Sequence, residues 1–325
     1  MKYNYVIVGC GGYYSVGYHD IMSLDNVQYF SSMKEGINSK FSLIIQRLTF
    51  SEQVNRLISY PFASYTYPRL FPFRFKEEKP LVFLFFGNTQ YLYQSTYLEY
   101  LRKQYPGVKF VLYLQDIVAI NEKLSLEKIR KEFDLILSYD KGDCKKYGLV
   151  YHPTPYSIYP VPENPSIEPI DVFFCGKAKT RYSLIFDVYN RCKEKGLKCK
   201  LFITGVPDAD RIVSNDIIYD HPITYIENLQ YVKKSKCILE VMQENADGYT
   251  PRLWESLVYD KHLLTNNRGL LNSDFNVDQS IHYFDKDSYE LSWIDVPISH
   301  SFDLKESLSP KHLLQLVESY LDNEQ

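Results

Sequence analysis

YHPTPYSIYPVPENPSIEP, residues 151–169, carries six prolines in nineteen positions. Proline locks φ and lacks the N–H that a helix interior or a central strand needs, so this run is neither. It reads as a semi-rigid linker. The same alternation of elements recurs on each side of it, so the linker divides the chain into two similar halves. Before it, YVIVG (5–9), VFLFFG (82–87), FVLYLQD (110–116), DLILSYD (134–140) and LVYHP (149–153) are short, nearly continuous apolar runs. Such runs, rich in β-branched and aromatic residues, mark parallel strands covered on both faces. Helical segments at 39–58, 90–105 and 124–132 lie between them.

After the linker, DVFFCG (171–176), KLFITG (200–205), CILEVMQ (237–243), KHLLTNN (261–267) and IHYFD (281–285) read as strands. They alternate with helices at 180–195, from Thr224 onward, and at 250–260. Thr224 with Glu227 three residues on spells a capping box, and Thr250 followed by Pro251 marks another helix start. The tail SPKHLLQLVESYLDNEQ is a helix with Ser309 as its cap. The fold class expected is α/β, with two Rossmann-like parallel-sheet domains. The expected boundaries are 1–158, 170–305 and a terminal helix at 306–325.

Composition bounds the function. The chain has 325 residues, 45% of them apolar and 24% charged, with a net charge of −3. That balance gives no global reason to expect nucleic acid as a partner. Six scattered cysteines without a C-x-x-C pair suggest a reducing cytoplasm rather than a disulfide framework. The amino terminus lacks a signal-peptide pattern, and no run approaches the roughly 20 apolar residues of a membrane helix. The basic aromatic stretch YPRLFPFRFK (67–76) is compatible with peripheral contact at the inner face of a cell membrane.

VIVGCGGYYSVGYHD (6–20) has the start of a dinucleotide fingerprint without its end. Gly9 and Gly11 fit, but the third required position is Tyr14, and the next strand candidate, NVQYFSS, ends without an acid. Gly11 and Gly12 instead form a turn at the carboxyl edge of a sheet, where open α/β folds take ligands. His19 and Asp20 follow it and, with Asp116 at the end of FVLYLQD, are candidate proton acceptors. Each is equally compatible with a cap or a solvated surface.

Two stretches in the second half carry more chemistry. FFCGKAKTRY ends a strand in Gly176 and then supplies Lys177, Lys179 and Arg181. Glycine admits a phosphate close to the backbone, and the cations offset its charge. EVMQENADGYTPRLWESLVYDKHLLTNN (240–267) runs a strand to Gln243, a polar loop through Gly248 and Tyr249, and a helix capped by Thr250. Arg252 in the first turn opposes the helix dipole, which is readily understood if it meets an anion.

This segment resembles the donor-binding stretch of GT-B-fold glycosyltransferases, especially bacterial enzymes that build surface polysaccharides. In that fold two Rossmann-like domains face a central cleft, and the terminal helix often crosses back to the first. The resemblance implies transfer of a sugar from a nucleotide-diphosphate donor, a UDP-sugar being favoured, to a glycan or lipid-linked glycan, without a required metal or cofactor. It implies that Glu255 holds the donor ribose. Gly248, Tyr249, Thr250 and Arg252 contact the pyrophosphate, Gly176, Lys177 and Arg181 add to that site, Gln243 lies beside it, and Tyr225 packs near the base. Retaining members often carry two glutamates bracketing this helix; here Asp247 occupies the first slot, which leaves the stereochemical outcome open. A non-catalytic sugar- or nucleotide-binding protein and a nucleotide-sugar epimerase of the same fold are the alternatives.

Overall fold

The computed structural model describes residues 1–9, 11–37, 39–118, 126–243, 248–273, 275, 279–285 and 290–323. The chain divides into two compact units: Met1–Tyr159 with Glu306–Gln325, and Pro160–Lys305.

The first unit is built on a six-stranded, wholly parallel sheet. Its strands are β1 (Asn4–Val8), β2 (Val27–Phe30), β3 (Leu81–Phe86), β4 (Lys109–Leu114), β5 (Leu135–Ser138) and β6 (Val150–Tyr151), in the order β2-β1-β3-β4-β5-β6. Alternate residues serve opposite faces. Val6, Val8, Phe83, Phe85, Phe110 and Leu112 pack one core, while Tyr5, Ile7, Leu84, Phe86, Val111 and Tyr113 pack the other. The second core is closed by the carboxyl-terminal helix Pro310–Asn323, through Leu313, Leu314, Val317 and Leu321. Each of these fully buried side chains contributes about 2 kcal/mol of transfer free energy. The Tyr5 hydroxyl donates to the Leu314 carbonyl at 3.4 Å, and burial raises its pKa.

The aromatic stretch 67–76 turns inward. Tyr67, Leu70 and Phe71 are buried in the first core, and Phe73 and Phe75 pack against it. A chain with that many large apolar groups beside a sheet edge minimises its free energy by covering them, so these rings are withdrawn from the surface. Among the described residues, no helix is long and apolar enough to cross a membrane.

The second unit repeats the plan with β7 (Ile170–Lys177), β8 (Cys199–Thr204), β9 (Ile217–Tyr219), β10 (Ser235–Glu240), β11 (His262–Thr265) and β12 (Ile281–Tyr283). Its order, β12-β11-β10-β7-β8-β9, is again wholly parallel and places the reversal of strand order between β7 and β10. The strand expected to reach Gln243 stops at Glu240. Its neighbour β11 ends at Thr265, so the next free N–H, that of Met242, donates to the Asn266 side chain at 2.6 Å instead of continuing a ladder.

Candidate functional site

Open α/β sheets bind ligands outside the carboxyl ends of their strands, at the point where strand order reverses. In the second unit that point is the gap between the ends of β7 and β10. Pairing between the two strands reaches Phe173 and Ile238, whereas β7 runs on beside β8 to Lys177. The carbonyls left at the diverging ends are taken by two arginines. Arg252 donates through Nη2 to the Cys175 carbonyl, and its guanidinium lies 5.2 Å from the Phe174 ring centroid. Arg181 donates through Nη1 to the Val241 carbonyl and through Nη2 to the Lys177 carbonyl at 2.9 Å. The Arg181 Nε is buried without a partner among the described residues. Burial lowers the pKa of Arg181, the nearby Arg252 charge lowers it further, and Glu240 opposes both. Two guanidiniums are therefore held within electrostatic reach of each other at one strand end.

Thr250 caps the Pro251–Val258 helix, but its hydroxyl works in two directions. It accepts from the Arg252 N–H at 3.2 Å and donates to Glu240. Glu240, fully buried at the end of β10, also accepts from Thr265 at 2.6 Å. Pro251 has no N–H, and the Leu253 N–H bonds to the Thr250 carbonyl at 3.1 Å. The leading donors of this helix are thus occupied locally, so attraction for an anion rests on the guanidiniums and the positive end of the dipole.

One turn on, Glu255 is buried, at 3% exposure. Its Oε1 accepts from the Tyr225 hydroxyl at 2.8 Å and from Asn228 Nδ2 at 3.0 Å. Both donors stand on one face of the Tyr225–Lys234 helix, which begins with the capping box of Thr224 and Glu227. Burial raises the Glu255 pKa to about 7, against the opposing pull of Arg252 and the two hydrogen bonds. Tyr249, Trp254 and Phe275 pack edge to face, with centroids 4.9–5.6 Å apart, and Asn267 ties the Gly248 carbonyl at 3.1 Å.

No protein-family model and no curated protein matches the sequence. Solved structures do. An alpha-glucosyltransferase in complex with UDP-glucose and DNA containing an abasic site aligns with a TM-score of 0.51 at 13% identity, over 98% of this chain and 91% of that one. An alpha-glucosyltransferase in complex with UDP and a 13-mer DNA containing a central A:G mismatch aligns at 0.52 and 13% identity, over 87% and 86%. The fold is GT-B. The UDP-GlcNAc 2-epimerase from Methanocaldococcus jannaschii also aligns, at 0.45 and 10% identity, over 88% and 89%.

Within this GT-B chain the second unit brings Gly176, Arg181, Tyr225, Thr250, Arg252 and Glu255 into one neighbourhood. Lys177 and Gln243 are exposed beside it, and Asp247 lies outside the described residues. Gly176 is needed there sterically, because a Cβ would stand 2.6 Å from Arg252 Nη2. Gly176→Ala is expected to fold, since only the tip of a long side chain must yield. The displaced guanidinium should weaken nucleoside-diphosphate binding roughly tenfold, the worth of one well-placed charge-assisted hydrogen bond. Calorimetric titration with UDP measures this, and unchanged affinity would place Arg252 off the phosphate.

The first unit carries two cavities at the carboxyl end of its sheet, sharing Phe50, Asn88 and Tyr91. One, of about 780 Å³, is lined also by Glu52, Asn55, Arg56 and Asp116; the other, of about 580 Å³, is bounded by Gly9, Ser31 and Arg47. Asp116 is thus a cavity residue. Asp20 is engaged elsewhere: its carboxylate accepts from Ser309 at 2.7 Å, and its N–H donates to Ser157 at 3.0 Å. His19 lies edge-on to Tyr159, with centroids 4.9 Å apart. Gly12, at φ 66°, precedes the Tyr13–Gly17 helix in a conformation that favours glycine, and Gly11 is exposed next to it. Gly9 is demanded by aromatic packing, since a Cβ would meet Tyr29 at 2.4 Å and Phe86 at 3.0 Å.

Sequence reasoning missed Asn228, Glu240, Thr265 and Asn267. Two of them left a signal. Asn228 sits three residues after Tyr225, the spacing of side chains that share a helix face, and Glu240 is an acid directly after the apolar run Cys237–Leu239.

Proposed function

We propose that the chain is a glycosyltransferase that takes a sugar from a UDP-sugar and places it on a glycan or lipid-linked glycan acceptor during surface-polysaccharide assembly in the cytoplasm. The observation that carries this reading is the convergence of Arg181 and Arg252 at the β7–β10 reversal point, one helical turn from buried Glu255. A departing nucleoside diphosphate concentrates negative charge, and cations fixed before the reaction stabilise it without reorganising. Arg252, Arg181 and the helix dipole supply that charge, with Lys177 on the exposed rim. Glu255, oriented through Oε1 by Tyr225 and Asn228, accepts from a ribose hydroxyl. Tyr249 and Gly248 hold the approach to the helix. The first-unit cavity takes the acceptor, and in an inverting transfer Asp116 receives the acceptor proton, because it is the carboxylate among the three candidates that lines that cavity.

Thermal denaturation with UDP, GDP, ADP and CMP, followed by assay of UDP release from UDP-sugars, tests this. UDP at a hundredfold excess over its dissociation constant should stabilise the protein by about 2.7 kcal/mol, and UDP should be released only when an acceptor is present. Absence of UDP binding, or conversion of the donor sugar alone to its epimer, would overturn the reading.

A further inference from the structure

The helix Lys40–Thr49 fully buries only polar side chains and leaves part of its apolar set exposed. Its buried side chains are polar: Gln46 donates to the Met33 carbonyl at 2.9 Å, and Thr49 shares a hydrogen bond with Thr66 at 2.8 Å. Three of its apolar side chains, Phe41, Ile44 and Leu48, stand at 63%, 54% and 37% exposure, while Leu43 and Ile45 are half-buried. The segment that follows adds Leu57, Ile58 and Phe62 at 87%, 63% and 50%. Single exposed apolar residues need no explanation, but six gathered within 41–62 do. Phe62 is moreover held at φ 63°, an uncommon conformation for a bulky residue.

Charge indicates what covers this surface. Across 39–69 the chain has Lys40, Arg47, Arg56 and Arg69 against the single carboxylate Glu52, although the whole protein carries a net −3. Arg47 and Arg56 are exposed among the apolar groups. Packing this face on a second copy of itself would set cations against cations. A surface that is anionic outside and apolar beneath matches both features at once. We propose that residues 41–62 dock the protein on a membrane surface bearing anionic lipid headgroups. Phe50, Glu52, Asn55, Arg56 and Tyr60 of this region also line the 780 Å³ cavity. Docking therefore brings the cavity mouth to headgroup level, where, if the transferase reading holds, a lipid-linked acceptor is presented.

Flotation of the full chain with vesicles decides the matter. Vesicles of phosphatidylcholine with about 30 mol% phosphatidylglycerol should bind the protein at least roughly tenfold more strongly than phosphatidylcholine alone, with the advantage reduced by salt. Leu57→Ser with Ile58→Ser should lower that binding roughly tenfold, with melting temperature and UDP affinity unchanged. Lys40→Gln with Arg47→Gln, which leaves Arg56 and Arg69, should weaken the preference for anionic vesicles severalfold. Equal binding to both vesicle types, an unaffected Leu57/Ile58 variant, or a wild-type dimer that this variant dissociates in the ultracentrifuge would overturn the proposal. Failure of the transferase reading would show separately, as absent UDP binding with lipid binding intact.

Discussion

Arg252→Ala is expected to weaken UDP binding by roughly a hundredfold while leaving the affinity for uridine nearly unchanged. The factor follows from two charge-assisted hydrogen bonds, each contributing about 1.5 kcal/mol. Arg252 also ties the Cys175 carbonyl and lies over Phe174. Its loss should therefore lower the melting temperature as well, and the comparison of UDP with uridine separates the two effects. A merely structural arginine would lower both affinities together. Arg252→Lys keeps the charge without the planar fork, so it should recover about one decade of the loss. Titration calorimetry on the three proteins is the measurement. Equal losses for UDP and uridine would remove Arg252 from the diphosphate site.

The second large effect concerns Glu255 and pH. Its pKa is about 7 in the folded chain because burial disfavours the carboxylate, whereas an unfolded glutamate titrates near 4.3. Below the unfolded value both states hold the proton and the stability is full. Between that value and 7 the unfolded chain releases its proton while the folded one keeps it, so stability falls as pH rises. Above 7 both are ionised and the cost is constant. The total is on the order of 4 kcal/mol. Glu255→Gln keeps an oxygen for Tyr225 and Asn228 but has no proton to release, so this slope should be missing from it. Urea denaturation of both proteins from pH 5 to 8, at intervals of about one unit, reads the difference. A stability gap that stays constant over that range would mean Glu255 is ionised throughout. UDP binding should also strengthen as pH rises from 5 to 8 in the wild type, because the carboxylate is the form that accepts hydrogen bonds through both oxygens.

The helix starts and strands were legible because they are written locally. Thr224 and Glu227 close their capping box with one another's backbone, and Thr250 caps its helix within two residues. The nearly continuous apolar runs became parallel strands because only a sheet covered on both faces buries every side chain in them. Local pattern misjudged the surface, however. The aromatics of 67–76 fill a core, and the exposed apolar face belongs to 41–62, because which side of a segment is covered depends on what packs against it.

The sequence by itself determined two alternating α/β halves and the identities of the charged groups in the second half, since propensity, capping and period act over a few residues. Only the tertiary structure decided that Arg181 meets Val241, that Glu255 is held by Tyr225 and Asn228, and that Glu240 joins Thr250 to Thr265. Those contacts join residues 10 to 60 positions apart through strand order. Strand order is set by which apolar faces find each other across the whole unit, and no local window contains that information.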